Sequence, residues 1–138
     1  MPWFIPESGD LTAPYWAAAA ERRLVAQRCD ACGSFQHPPL ERCASCHARE
    51  LSWTELSGRG EVYSVTTVRH AVHPLLQPRI PFEVGLVRTV EGLLFVSDFP
   101  DHREPPAIGD PVAVRFRDVA DGVTLPYFGP LRREEQSA

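Results

Sequence analysis

The chain has 138 residues, 43% hydrophobic and 23% charged, the ordinary make-up of a soluble globular protein with one domain or two very small ones. Its 14 prolines exclude a simple helical bundle, and a net charge of −4, with arginine as the only long basic residue, makes the chain a poor candidate for binding phosphate backbones. No stretch approaches the roughly 20 apolar residues of a membrane span, and the N-terminus lacks the basic start and apolar core of a secretion signal, so the expected location is the cytoplasm.

Residues 1–28 read as an arm and a helix, with the helix expected over residues 13–27. Asp10 or Thr12 can accept from the first free amides, and Pro14 suits a first turn where its missing N–H costs nothing. The run Ala17-Ala18-Ala19-Ala20 favours the helix. Tyr15, Trp16, Ala19, Ala20 and Leu24 fall on one broad apolar stripe. Such a stripe either covers the domain's own core or presents an aromatic pair to another protein, and the pattern allows both.

Residues 29–57 carry all four cysteines. Cys29-Asp30-Ala31-Cys32 and Cys43-Ala44-Ser45-Cys46 are two C-x-x-C pairs separated by ten residues. Each pair can form a knuckle that turns both thiolates toward one metal, and two knuckles complete a tetrahedral four-thiolate site of the kind zinc accepts. Iron of the rubredoxin type would use the same ligands. A redox C-x-x-C would leave the second pair unexplained, and His37 or His47 as ligand would break the symmetry of the pairs. With four thiolates the metal is closed to substrate, so its task is to staple a segment poor in core residues. In the reducing setting expected here, disulfides are the weaker explanation.

Residues 58–130 read as all-β. Gly58-Arg59-Gly60 is a turn, and strands are expected over residues 61–70, 82–90, 93–99, 111–117 and 123–128, with turn signals at Glu91-Gly92, Gly109-Asp110 and Asp121-Gly122. Five strands in so short a span favour a small closed barrel, which leaves no exposed sheet edge. Gly85 within the second strand suggests a bulge or bend. Between the first two strands, residues 71–82 form a loop with three prolines and exposed-looking Leu75, Leu76 and Ile80. Such a loop is either a lid on the core or the wall of a groove for an acyl chain or a partner. Residues 131–138 read as a solvated tail.

A catalytic site does not emerge. There is no G-x-S-x-G, no H-E-x-x-H and no phosphate-cradling glycine loop. His70 and His73 read as polar groups at a strand end, and Asp98, Asp101 and His102 as turn formers.

The order of these features resembles a known family. The features are Tyr15-Trp16 on a helix, the segment from Leu24 to Gly33, the run from His37 through Pro38 and Pro39 to Cys46, then Trp53, Gly58-Arg59-Gly60-Glu61-Val62-Tyr63 and the closing run from Asp121 to Phe128. Together they are similar to the DUF35 family over about residues 10–130. Two departures are visible: His47 stands where the pattern often has glycine, and Leu40 replaces the arginine of Pro-Pro-Arg.

The resemblance implies a mainly β protein: an N-terminal helix, a rubredoxin-like zinc ribbon over residues 29–57, and a five-stranded OB-fold barrel over residues 58–130. It implies a structural zinc on Cys29, Cys32, Cys43 and Cys46. It further implies a non-catalytic subunit that completes a thiolase-like enzyme in a hetero-oligomer, such as a lipid-transfer-type thiolase or an aldolase of steroid side-chain degradation, with acyl-CoA at or near the shared site. The residues expected on that acyl-CoA or partner surface are Tyr15, Trp16, His37, Tyr63, His73, Leu75, Leu76, Ile80 and Phe82. The rival reading is a single-strand nucleic-acid binder, since OB-folds and zinc ribbons both serve there. It meets nine arginines against eleven acidic residues over residues 58–138, with no basic excess.

Overall fold

A computed structural model describes residues 3–136. An extended arm leads into helix α1 (Ala13–Ala20), followed by strands β1 (Val25–Cys29), β2 (Phe35–Gln36) and β3 (Leu51–Glu55). Then come β4 (Arg59–Val68), a 3-10 turn at Pro74–Leu76, β5 (Phe82–Thr89), β6 (Leu94–Asp98), β7 (Pro111–Ala120), β8 (Val123–Pro130) and a last helical turn, α2 (Arg133–Gln136). The first three strands form an antiparallel sheet in the order β2-β1-β3, and the other five form a sheet in the order β6-β5-β4-β7-β8. No helix among the described residues is long and apolar enough to cross a membrane.

The helix is shorter than its stripe predicts. It stops at Ala20, and Arg22 takes a left-handed turn at φ 63° that sends the chain into β1. The residues from Leu24 to Gln27 are all buried. A fully buried run matches a helical stripe and an interior strand equally well, and tertiary packing selects the strand. The tail is also less free than expected: Arg115 donates from Nη1 and Nη2 to both oxygens of Glu135, at 3.1 and 2.7 Å, and pins α2 against β7.

The bend expected at Gly85 lies on the neighbouring strand. The β4–β5 register slips between Val62 and Ser64, which leaves Tyr63 as the extra residue. Gly85 serves close approach instead, since a Cβ there would collide with the Ser64 carbonyl oxygen. The sheet curls until β6 nears β8, where Ser97 Oγ accepts from the Phe128 amide at 2.9 Å. Closure is made by that side chain; no ladder joins the two strands among the described residues.

One core serves both sheets. Leu24 and Ala26 of β1 join Leu56, Val62, Val87, Phe95, Phe99, Val112 and Phe128 in a single buried cluster, with Tyr15 of α1 and Phe35 of β2 packed on it. The small first sheet therefore buries apolar surface by using the barrel's interior as its own.

Candidate functional site

The two cysteine pairs fold into matching knuckles. In the first, the Gly33 amide donates to the Cys29 carbonyl at 2.9 Å; in the second, the His47 amide donates to the Cys43 carbonyl at 2.9 Å. Gly33 has φ 78° and His47 φ 65°, so the histidine occupies the left-handed position that the first knuckle gives to glycine. The Cys32 amide points at Cys29 Sγ at 3.4 Å, and the Ser45 and Cys46 amides point at Cys43 Sγ at 3.3 and 3.5 Å.

All four sulfurs lie within 4.8 Å of one another, and Cys29–Cys46 and Cys32–Cys43 are each 3.6 Å apart. A disulfide needs about 2.05 Å. A tetrahedron with metal–sulfur bonds of about 2.3 Å has edges of about 3.8 Å, close to what is found. Without a cation the thiols titrate unequally. The Ser34 hydroxyl and amide pull Cys32 down to about 6, and the Cys46 and Ser45 amides lower Cys43. Cys46 moves the other way, to about 12: the Ala48 amide favours its thiolate, but hydrogen bonding to Cys29 and the other thiols, together with burial, outweighs it. Four thiolates cannot gather here without a cation, and a soft divalent ion suits them.

Two buried glutamines hold the second knuckle in place, and nothing in the sequence pattern marks them. Gln36 Nε2 donates to Gln27 Oε1 at 2.7 Å and to the Arg42 carbonyl at 3.1 Å, while its Oε1 accepts from the Ala44 amide at 2.8 Å. Gln27 in turn ties down Leu40 through both backbone groups, at 2.8 and 2.9 Å.

His37 lies at the joint of the molecule. Its ring stacks on Phe95 of the barrel at 4.1 Å and lies 5.5 Å from Tyr15 of α1; Phe95 leans in turn on Phe128 at 6.3 Å. Burial holds the imidazole down at about 4 and pushes the Tyr15 phenol well above its ordinary range.

A cleft runs over the barrel face beneath the 71–82 loop. Its inner chamber, about 310 Å³, is walled by Leu76, Arg79, Phe82, Asp98, Phe99, His102 and Arg117; its outer chamber, about 340 Å³, by Phe4, Tyr15, Trp16, Phe82, Val96, Leu125 and Pro126. Trp3 lines both. Its indole lies 3.7 Å from the Arg79 guanidinium carbon and 4.7 Å from that of Arg117, which also covers the Tyr127 ring at 4.8 Å. Asp98 receives Arg117 Nη2 on both oxygens at 2.9 Å, and Tyr127 OH donates to Asp101 at 2.8 Å. These aspartates hold the stack, a task beyond the turn-forming one read from sequence. Trp16 Nε1, His102 Nδ1 and Arg117 Nε are buried without a hydrogen-bond partner among the described residues.

Of the residues expected on a ligand or partner surface, Tyr15, Trp16, Leu76 and Phe82 line this cleft. His73 sits at its rim, where its ring meets Phe4 edge-on at 5.1 Å and caps the 3-10 turn by accepting from the Leu75 amide. Leu75 and Ile80, exposed in the sequence reading, are half-buried and are not among the cleft's lining residues. His37 is at the internal joint. Tyr63 stands away from the cleft on its bulge, 46% exposed, beneath Arg88. Trp3, Phe4, Arg79 and Arg117 carry no signal in the sequence, because isolated residues in an arm, a loop and a strand share no period.

Comparison with known proteins matches both halves. Residues 16–52 match the profile described as ChsH2, rubredoxin-like zinc ribbon domain, and residues 53–117 the profile described as ChsH2, C-terminal OB-fold domain. The solved structure titled Ltp2-ChsH2(DUF35) aldolase superposes with a TM-score of 0.77 at 36% identity, covering 91% of this chain and 98% of the other. A probable enoyl-CoA hydratase alpha subunit of Thermomonospora curvata is 36% identical over 127 residues, 89% of this chain and 38% of its own length. The 3-oxo-4,17-pregnadiene-20-carboxyl-CoA hydratase alpha subunit of Mycobacterium tuberculosis is 33% identical over 119 residues, 84% of this chain and 37% of its own length. The chain thus spans less than two-fifths of either hydratase subunit.

Proposed function

The chain belongs to the DUF35 family in its ChsH2 form, a zinc ribbon followed by an OB-fold, and on that premise we propose that it is a non-catalytic subunit of a CoA-thioester enzyme. It docks on a thiolase-like partner, forms a hetero-oligomer and shapes the place where the acyl-CoA lies. The observation that carries this reading is the barrel-face cleft. It joins apolar walls to the Arg79 and Arg117 guanidinium groups and the His102 ring, and an acyl-CoA thioester offers both an apolar chain and polar acceptors.

The names of the relatives support the same class: two are CoA hydratase subunits, one of them for a steroid-derived acyl group, and the similar solved structure is an aldolase. A bulky acyl group of steroid side-chain breakdown is the substrate class we favour. The catalytic residues belong to the partner; the described cleft residues include no nucleophile–base pair. The nucleic-acid alternative lacks its main requirement, a basic excess, since Glu83 and Asp98 line the inner chamber beside Arg79 and Arg117.

Cys29, Cys32, Cys43 and Cys46 would hold the metal, and zinc is the ion proposed. When bound, it supplies a closed tetrahedral staple and no open position for substrate. Metal analysis of the purified protein should give one zinc per chain and no visible absorption band. Co-expression with a thiolase-fold protein should give one co-eluting species in size exclusion, with turnover only in the pair. A chain that stays alone beside every such partner would sink the proposal.

A further inference from the structure

The two chambers of the cleft share five residues: Trp3, Leu76, Phe82, Asp98 and Arg117. Four of them are fixed by a helical turn, by strands or by a bidentate ion pair. Trp3 is not fixed in that way. Among the described residues, the first backbone–backbone hydrogen bond of the chain is the one that Gly9 accepts, so residues 3–8 rest on side-chain contacts. Trp3 is held by its two guanidinium neighbours and Phe4 by His73, while Phe4 and Ile5 remain 44% and 49% exposed. Stacking of this kind is weak at a partly exposed site, and it has no ladder behind it.

We propose that the N-terminal arm is a movable partition: Trp3 divides the cleft in the free chain, and its withdrawal joins the two chambers into one groove long enough for an extended ligand. The proposal rests on the reading of the cleft as the thioester surface. Each chamber alone is at the lower limit for a drug-sized ligand, and a long acyl thioester needs both. Withdrawal also frees the faces of Arg79 and Arg117 that the indole now covers. The arm therefore competes with the ligand, and apparent affinity falls by the fraction of chains with the groove open.

The test uses the full zinc-loaded chain labelled with 5-fluorotryptophan, its Trp3→Ala and Arg117→Gln variants, and octanoyl-CoA as the probe. In fluorine NMR, the resonance absent from Trp3→Ala identifies Trp3. In the wild-type chain it should sit at a packed position and move toward that of a free arm in Arg117→Gln and on addition of octanoyl-CoA. Trp3→Ala should bind octanoyl-CoA more tightly, about tenfold if nine chains in ten are partitioned. A free-arm resonance in the unliganded wild type overturns the partition whatever the ligand does. Equal affinity in the two chains, with the Trp3 resonance unmoved by bound ligand, overturns it while leaving the thioester reading intact. A packed Trp3 resonance with no octanoyl-CoA binding by either chain overturns both.

Discussion

The ribbon and the barrel solve the same problem in different ways. The barrel buries Val62, Val87, Val112 and Phe128 almost completely and pairs its strands in long ladders. The ribbon has a two-residue strand, two exposed cysteines, and a polar centre built from Gln27 and Gln36. It holds together through four sulfurs, two glutamines and a face borrowed from the barrel. A small segment can thus keep a defined shape with few apolar residues when polar groups and a metal set its geometry.

The sharpest way to break that contrast is to remove a ligand. Cys46→Ser changes one exposed sulfur and leaves the core untouched. It should abolish metal retention and lower stability by part of the roughly 10–16 kcal/mol that structural zinc contributes to isolated fingers. Metal analysis and a thermal melt check this; unchanged stability would mean that the sulfurs are no staple.

Next in size is Phe95→Ala. Phe95 is 4% exposed and supports both Phe128 and His37, so its loss should cost about 3–5 kcal/mol in denaturant unfolding. The ribbon's resonances should shift together with the barrel's, because the mutation opens the shared core.

His37 gives a smaller, pH-dependent effect. Its folded pKa is held down at about 4 against an ordinary value near 6.5, so the unfolded chain binds the proton more readily. Stability is full above about pH 6.5, falls as pH drops, and levels off below about 4. After discounting for partial exposure, the loss is on the order of 2 kcal/mol. His37→Phe should flatten this limb of the stability–pH curve, and a slope unchanged in the variant would place the titration elsewhere.

The smallest expected effect is a gain. His47→Gly relieves a left-handed φ in the second knuckle and should stabilise by about 1 kcal/mol or less, read as a small rise in Tm of the metal-loaded protein.

The fold was largely legible because its signals are local. Paired C-x-x-C spacing fixes the knuckles, and alternation in residues such as those from Val112 to Arg117 fixes the barrel strands. What escaped depends on distance. The residues Leu24 to Gln27 suit a helix or a buried strand, and only packing against the barrel decides. Gln27 and Gln36 look like surface residues until the 37–42 loop closes over them. The stack of Arg79, Trp3, Arg117 and Tyr127 joins four residues from an arm, a loop and two strands, and no local pattern links them. The cleft was therefore half visible, through the proline-rich loop and the α1 aromatics.

The single core has a consequence for how such a protein can be inherited. A cut between residues 55 and 59 would strip Leu24, Ala26 and Tyr15 from the interior they share with Phe95 and Phe128, and leave a raw apolar face on both pieces. The two halves have separate profiles but no separate economy of burial. Gene fusion, transfer or splitting should preserve helix, ribbon and barrel as one cassette, with junctions only outside it.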